Sequence, residues 1–152
     1  MASKRRNPGI ILLVEDNRAD QELIRRAMEG ATIRKELRIV ENGEEALAYL
    51  FRCGKYKDPA TSPRPDLLLL DLNLPRVNGY QVLAQIRKDL NLCRMPVVVL
   101  TTSRQKEDIN RSYELGCNSF IPKPVDLDRY VGLFQAIEKY WFENVVLPPK
   151  ME

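Results

Sequence analysis

The stretch PDLLLLDLNLPRVNG, residues 65–79, gives the strongest indication of the fold of this 152-residue chain. Its four consecutive leucines, Leu67 to Leu70, form an apolar run of strand length that ends at Asp71. Such a run is typical of a strand buried on both faces, and these strands occur in parallel sheets covered by helices. Because open α/β sheets bind ligands at the carboxyl ends of their strands, Asp71 is a candidate functional residue. The alternative is that Asp71 is only a turn residue.

The rest of the chain alternates short apolar runs with segments of helical spacing. The predicted strands are 10–14, 37–40, 66–70, 96–101 and 119–121, and the predicted helices are 18–30, 43–53, 80–90, 107–115 and 125–141. Asp16 or Asn17 is expected to cap the first helix and Gly30 to end it. Residues 54–65 read as a loop, and Ile109 and Tyr113 are expected to face inward. The alternation predicts a flavodoxin-like, doubly wound parallel sheet with strand order 2-1-3-4-5 and five helices.

Composition excludes several classes of protein. The net charge of +3 is too small to argue for nucleic-acid binding, and no apolar run reaches the roughly 20 residues that span a bilayer. The three cysteines, Cys53, Cys93 and Cys117, are widely spaced, which favours reduced thiols and a cytoplasmic protein.

The chain contains no histidine, and this absence removes whole classes of chemistry. Ser-His-Asp and Cys-His catalysis, histidine-ligated metals and a phosphohistidine step within the chain are all excluded. Neither a P-loop pattern nor Gly-x-Gly-x-x-Gly is present, so nucleotide binding has no support.

Five polar side chains follow the predicted strands at the edge where ligands bind. Glu15 and Asp16 follow the first strand, Asp71 the third, Thr101 ends the fourth, and Lys123 follows the fifth. Three carboxylates that meet at one site repel one another and need a cation. Hard oxygen ligands select Mg²⁺ where a phosphate also binds.

In such a site Asp16 and Asp71 are expected to bind the metal directly, Glu15 through water, and Asn73 through its backbone carbonyl. The Asp71 carboxylate can then attack a phosphoryl group, while Lys123 and the metal neutralise its charge. Thr101 can hydrogen-bond the new phosphate. The added charge would pull the hydroxyl and the ammonium inward, which makes a switch rather than a turnover enzyme.

With these residues in place, the chain resembles the receiver domain of two-component response regulators. The matching motifs are Glu15-Asp16, Asp71 in DLNLPRVNG, Thr101 in VVVLTTS, and Lys123 in a Lys-Pro dipeptide. Thirty residues separate Asp71 from Thr101, and 22 separate Thr101 from Lys123. The resemblance covers residues 9–140. It leaves residues 1–8 as a flexible N-terminal segment and residues 141–152 as a C-terminal tail without an output domain.

The resemblance implies a CheY-like fold and a regulatory phosphoacceptor that receives its phosphoryl group on Asp71 from a histidine kinase. It further implies that the domain promotes its own phosphotransfer and slow autodephosphorylation. Phe120 would be the aromatic switch residue, and the Lys123–Pro124 peptide bond would be cis. Glu15 departs from the usual first aspartate by one methylene, which favours the water-mediated contact with the metal.

A narrower resemblance comes from VEDNRAD, the long loop before the third strand, and YWFENVVLPP. These segments are similar to stand-alone regulators of cyanobacterial and bacterial phytochrome kinases. The apolar residues near the C-terminus either pack on their own domain or form a homodimer seam with the last helix.

Two other functions remain open from sequence. The chain could be an aspartyl-phosphate phosphatase, although Asn73 stands where phosphatases of the haloacid dehalogenase type carry an acid–base aspartate. It could also be a receiver-like binding module that works without phosphorylation, although the complete acidic site argues against this.

Overall fold

A computed structural model describes residues 8–29 and 35–150 of the chain. The expected flexible segment at residues 1–8 lies outside the described residues except for Pro8, and so does Gly30. The strands are β1 Gly9–Val14, β2 Lys35–Val40, β3 Leu67–Leu70, β4 Val97–Thr101 and β5 Ser119–Pro122. The helices are α1 Arg18–Met28, α2 Gly43–Leu50, α3 Gly79–Lys88, α4 Lys106–Glu114 and α5 Leu127–Glu138.

The five strands form one parallel sheet in the order β2-β1-β3-β4-β5, which confirms the predicted fold class. Alternation along the strands divides the apolar residues between two cores. Leu68 and Leu70 face the core that contains α2 and α3, whereas Leu67 and Leu69 face the core that contains α1 and α5. The four leucines therefore hold β3 in the middle of the sheet from both sides, and Asp71 follows at its end.

Asparagine or aspartate side chains begin four of the five helices. Asn17, Asn42, Asn78 and Asp126 each accept a hydrogen bond from a backbone N–H in the first turn of α1, α2, α3 and α5, respectively. Of the two predicted caps of α1, Asn17 is therefore the one that acts. Such caps satisfy N–H groups that the helix itself leaves unpaired.

Several predicted helix ends were wrong. The second helix ends at Leu50 rather than Cys53, because Arg52 has a left-handed backbone conformation with φ of 54°. The last α-helix begins at Leu127, after its Asp126 cap, and ends at Glu138, from which a π-helical turn, Lys139–Asn144, continues the chain.

Two further predictions about side chains and backbone were also wrong. Tyr113 was expected to face inward but is about half exposed, because Ser112 is the residue of α4 that is buried. The Lys123–Pro124 peptide bond is trans, which is the lower-energy isomer for most X–Pro bonds.

The segment between α2 and β3, residues 54–65, begins with a 3₁₀ turn, Gly54–Tyr56, and then packs on α2. The Tyr49 hydroxyl donates to the Pro63 carbonyl at 2.7 Å, and Arg64 donates to the Leu50 carbonyl at 2.9 Å. Within the described residues, no helix combines the length and the apolarity needed to cross a membrane.

Candidate functional site

The site lies at the carboxyl edge of the sheet, where the predicted residues come together. Glu15 and Asp16 follow β1, Asp71 follows β3, Thr101 is the last residue of β4, and Lys123 follows β5. Because β1 and β3 are neighbours in the sheet, their terminal carboxylates meet. All of these side chains except that of the exposed Asp16 are buried.

Lys123 is the centre of the site. Its Nζ lies 2.7 Å from Glu15 Oε1, 2.9 Å from Asp20 Oδ2 and 3.0 Å from Asp71 Oδ2. Burial by itself would lower the pKa of Lys123. The hydrogen bonds to Glu15 and Asp20 and the attraction of Asp71 outweigh burial and raise this pKa above its ordinary value of 10.5. Lys123 is therefore a charged ammonium that partly neutralises the carboxylates around it.

At Glu15, the effect of burial on the pKa outweighs the attraction of Lys123. Burial, together with repulsion by Asp71, raises its pKa from the ordinary 4.5 to about 7, although Lys123 acts to lower it. The Asn17 N–H donates to Glu15 Oε2 at 3.1 Å, and the Gln21 side chain donates to the Glu15 carbonyl at 2.7 Å. The start of α1 thus holds Glu15 in place beside Lys123.

Glu15, Asp16 and Asp71 fit a divalent cation. Each offers one carboxylate oxygen, and the three oxygens lie within 4.8 Å of one another. Three carboxylates exceed the single charge of Lys123, and such oxygen donors suit a hard metal ion. The Asn73 N–H donates to Asp71 Oδ1 at 3.2 Å, so the loop folds back over the carboxylate. The expected contact of the Asn73 carbonyl with the metal stays a prediction.

The Thr101 hydroxyl is buried and has no hydrogen-bond partner among the residues that the structure describes. A buried hydroxyl without a partner costs free energy, so this position favours a group that can supply one. The backbone of Thr101 is fixed, because its carbonyl accepts a hydrogen bond from the Lys123 N–H at 2.7 Å. Thr101 and Lys123 are therefore coupled through the main chain at the same edge of the sheet.

Phe120 lies in β5, half-buried against the core that contains α2 and α3. Its N–H donates to the Tyr113 hydroxyl at 3.2 Å, which ties it to α4. Its expected switch role stays a prediction.

Two residues of the site were missed in the sequence. Asp20 binds Lys123 from the first turn of α1, and because acids are common in first helical turns, its sequence position gave no signal of this contact. Tyr130 of α5 is fully buried, and its hydroxyl has no partner within the described chain. Burial, with the negative charges of Asp20, Glu15 and Asp71, raises the pKa of Tyr130 to about 12. In the sequence, Tyr130 is one of the regularly spaced apolar residues of the last helix, and this spacing indicated only a residue of the core.

Known proteins are similar to this chain in sequence. Residues 11–135 match the family described as the response regulator receiver domain. The response regulator Rcp1 of Synechocystis sp. is 44% identical over 148 residues, which cover 97% of this chain and 99% of that protein.

Two crystal structures show the same fold. The phosphorylated cyanobacterial phytochrome response regulator RcpA aligns with a TM-score of 0.86 and 44% identity, over 93% of this chain and 99% of that one. The Mn²⁺-bound form of Rcp1 aligns with a TM-score of 0.85 and 45% identity, over 93% of this chain and all of that one. The sequence match, the sheet order and the acidic edge agree: this chain is a response regulator and belongs to the receiver-domain family.

Proposed function

We propose that this response regulator accepts a phosphoryl group on Asp71 from the phosphohistidine of a partner kinase. The observation that carries the proposal is the buried ammonium of Lys123, 3.0 Å from Asp71 Oδ2, beside three clustered carboxylate oxygens. This arrangement provides a nucleophile, a fixed positive charge and oxygen ligands for a cation in one place.

In the transfer, an Asp71 carboxylate oxygen forms a bond to phosphorus while the bond from phosphorus to the histidine nitrogen breaks. The imidazole leaves with the electron pair. Lys123 stabilises the charge on the phosphoryl oxygens from one side. A magnesium ion held by Glu15, Asp16, Asp71 and the Asn73 carbonyl would supply further charge neutralisation when bound.

The same residues would then report the modification. The unpartnered hydroxyl of Thr101 can donate to a phosphoryl oxygen, which would satisfy a buried polar group that lacks a partner among the described residues. Movement of Thr101 toward the phosphate would leave room for Phe120 to turn inward and change the surface near α4. Hydrolysis of the acyl phosphate would be slow, because Asn73 has no acid–base group to activate water.

We further propose a phytochrome-type histidine kinase as the partner and the cytoplasm as the working compartment. The kinase class is supported by the likeness to RcpA, which is described as a phytochrome response regulator. The compartment is supported by the three unpaired cysteines, Cys53, Cys93 and Cys117.

We also propose a homodimer through α5 and the C-terminal tail, and no direct binding of nucleic acid or membrane. The dimer is supported by exposed apolar side chains at the end of the chain. Tyr140 is 56% exposed and Val146 is 94% exposed. Where exposed apolar side chains form one patch, they often mark a protein–protein contact.

Incubation with acetyl phosphate and Mg²⁺ tests the phosphoacceptor role. The wild-type protein is expected to gain one labile acyl phosphate, detected by intact mass and by its loss in alkali. Asp71→Asn is expected to lose the label completely, because the amide is not a nucleophile. Asp66→Asn, which changes the carboxylate before β3, serves as the control and is expected to keep it.

Other outcomes favour the other functions. Rapid turnover of small phosphomonoesters would indicate a phosphatase, and a wild-type protein without label would indicate a binding module.

A further inference from the structure

Asp20 is the third carboxylate on Lys123, and it lies outside the metal-binding group of Glu15, Asp16 and Asp71. Its Oδ2 accepts from Lys123 Nζ at 2.9 Å. The backbone N–H of Asp20 donates to the Asn17 side chain at 3.0 Å, so the cap of α1 fixes the position of the residue. The Asp20 side chain is 24% exposed, whereas that of Glu15 is 1% exposed. Asp20 therefore holds the ammonium from the more open side.

Carboxylates surround the Lys123 ammonium: it donates hydrogen bonds to Asp20 and Asp71, and it forms an ion pair with Glu15. An ammonium group has three N–H donors, and three carboxylates lie within hydrogen-bond distance of it. A phosphoryl oxygen on Asp71 can bind Lys123 only if one of these bonds is released. Glu15 and Asp71 belong to the group of carboxylates that could hold a cation, and Asp20 does not. Asp20 is thus the carboxylate that can remain on Lys123 before and after phosphorylation.

Tyr130 of α5 is fully buried and stacks on Phe134, with ring centroids 6.4 Å apart. The charges of Asp20 and Lys123 both influence the pKa of the Tyr130 hydroxyl: Asp20 raises it and Lys123 lowers it. Neither Tyr130 nor Phe134 carries a carboxylate that could replace Asp20 if Asp20 were removed.

We propose that Asp20 is a positioning residue for phosphotransfer, one that keeps the Lys123 ammonium beside Asp71 while Lys123 exchanges a carboxylate for a phosphoryl oxygen. The inference rests on the proposed function, since it requires that Asp71 accepts a phosphoryl group. Its mechanism is orientation: a charged group held in place lowers the barrier more than the same group free to move.

Phosphorylation rates of Asp20 variants test the proposal. With acetyl phosphate and saturating Mg²⁺, Asp20→Ala is expected to be phosphorylated about tenfold more slowly than the wild type. Asp20→Asn keeps an acceptor oxygen without the charge and is expected to be about threefold slower. Asp20→Glu is expected to recover a rate within about threefold of the wild type. Glu22→Ala, which changes an acid of the same helix that pairs with Arg25 and Arg26, is the matched control.

Two further measurements separate positioning from a structural or metal-binding role. The ¹⁵N signal of the Lys123 ammonium in the metal-free protein is expected to broaden or shift in Asp20→Ala and to stay unchanged in Glu22→Ala. The Mg²⁺ affinity of Asp20→Ala, measured by calorimetry, is expected to stay within about threefold of the wild type. Asp16→Asn is expected to lose more than about tenfold.

The outcomes distinguish this inference from the proposed function. A labelled wild type with an equally fast Asp20→Ala overturns the positioning role alone, and so does a Mg²⁺ affinity that falls as far in Asp20→Ala as in Asp16→Asn. A wild type that takes no label overturns both. If circular dichroism shows that Asp20→Ala is unfolded, Asp20→Asn decides, and a rate equal to that of the wild type overturns the role.

Discussion

Glu15 is the residue of the site whose charge changes near neutral pH. Burial raises its pKa from 4.5 to about 7. At pH values between these two, Glu15 therefore keeps its proton in the folded chain but has lost it in the unfolded chain. The contribution of Glu15 to the free energy of unfolding is therefore lost as the pH rises through this window. The same shift means that a cation must compete with a proton for Glu15.

We expect the divalent cation affinity to rise about tenfold between about pH 6 and pH 8, because Glu15 loses its proton over this range. Titration calorimetry with Mg²⁺ at several pH values measures this. Glu15→Gln keeps the shape of the side chain but not the charge, and it is expected to bind more weakly and to lose most of the dependence. An affinity of the wild type that is constant over the range would contradict the prediction.

At the scale of elements, α3 packs directly on the backbone that carries Asp71. A Cβ on Gly79, the first residue of α3, would lie 2.3 Å from the Asp71 carbonyl oxygen and 2.7 Å from Leu72 Cα. The Gly79 N–H donates to the Leu72 carbonyl at 3.0 Å. Because these contacts are with main-chain atoms, a side chain could not be accommodated by rotation of its neighbours.

We expect Gly79→Ala to reduce the free energy of unfolding by about 1–3 kcal/mol and to slow phosphorylation by displacing Asp71. Gly132→Ala in α5 is the matched control. Outside the backbone of α5, no atom of the described residues lies within 4 Å of the place that a Cβ on Gly132 would occupy. Since alanine favours a helix, this variant is expected to gain up to about 1 kcal/mol. Urea unfolding of both variants measures the difference, and equal stabilities would show that α3 can move away.

At the scale of the whole molecule, the tail is divided between its own domain and the solvent. The Phe142 ring lies against Gly9 at the start of β1, so close that a Cβ there would be 2.5 Å from it. Lys150 donates to the Arg64 carbonyl at 2.8 Å, near the amino end of β3. Val146 between them is almost completely exposed. The tail thus follows its own domain and still leaves apolar surface for a partner.

We expect the full-length protein to sediment as a dimer and the chain without residues 142–152 to sediment as a monomer. Val146→Asp tests the dimer interface without removing the packing of Phe142. Because Val146 is 94% exposed, this variant is expected to be a monomer of unchanged thermal stability. Leu90→Asp, which changes an exposed leucine just after α3, is the control. A full-length monomer at high concentration would rule out the dimer.

Patterns in the amino-acid sequence were sufficient to predict the sheet, its strand order and the strand-end residues of the site. Continuous apolar runs such as Leu67 to Leu70 predict buried parallel strands, and right-handed crossovers restrict their order. Because the strands are parallel, the residues at the carboxyl ends of β1, β3, β4 and β5 must lie at one edge of the sheet. Local sequence patterns therefore predict which residues lie near one another at this edge, namely Glu15, Asp16, Asp71, Thr101 and Lys123.

Which of these side chains contact one another could not be predicted from the sequence. The bond from Lys123 to Asp20 joins residues 103 positions apart, and no local pattern distinguishes Asp20 from an ordinary acid in a first helical turn. The outward orientation of Tyr113 and the ends of α5 also depend on packing. The end of α2 depends on a single backbone dihedral, the φ of Arg52. Side-chain contacts depend on how helices dock on the sheet, because docking sets distances that periodicity alone does not specify.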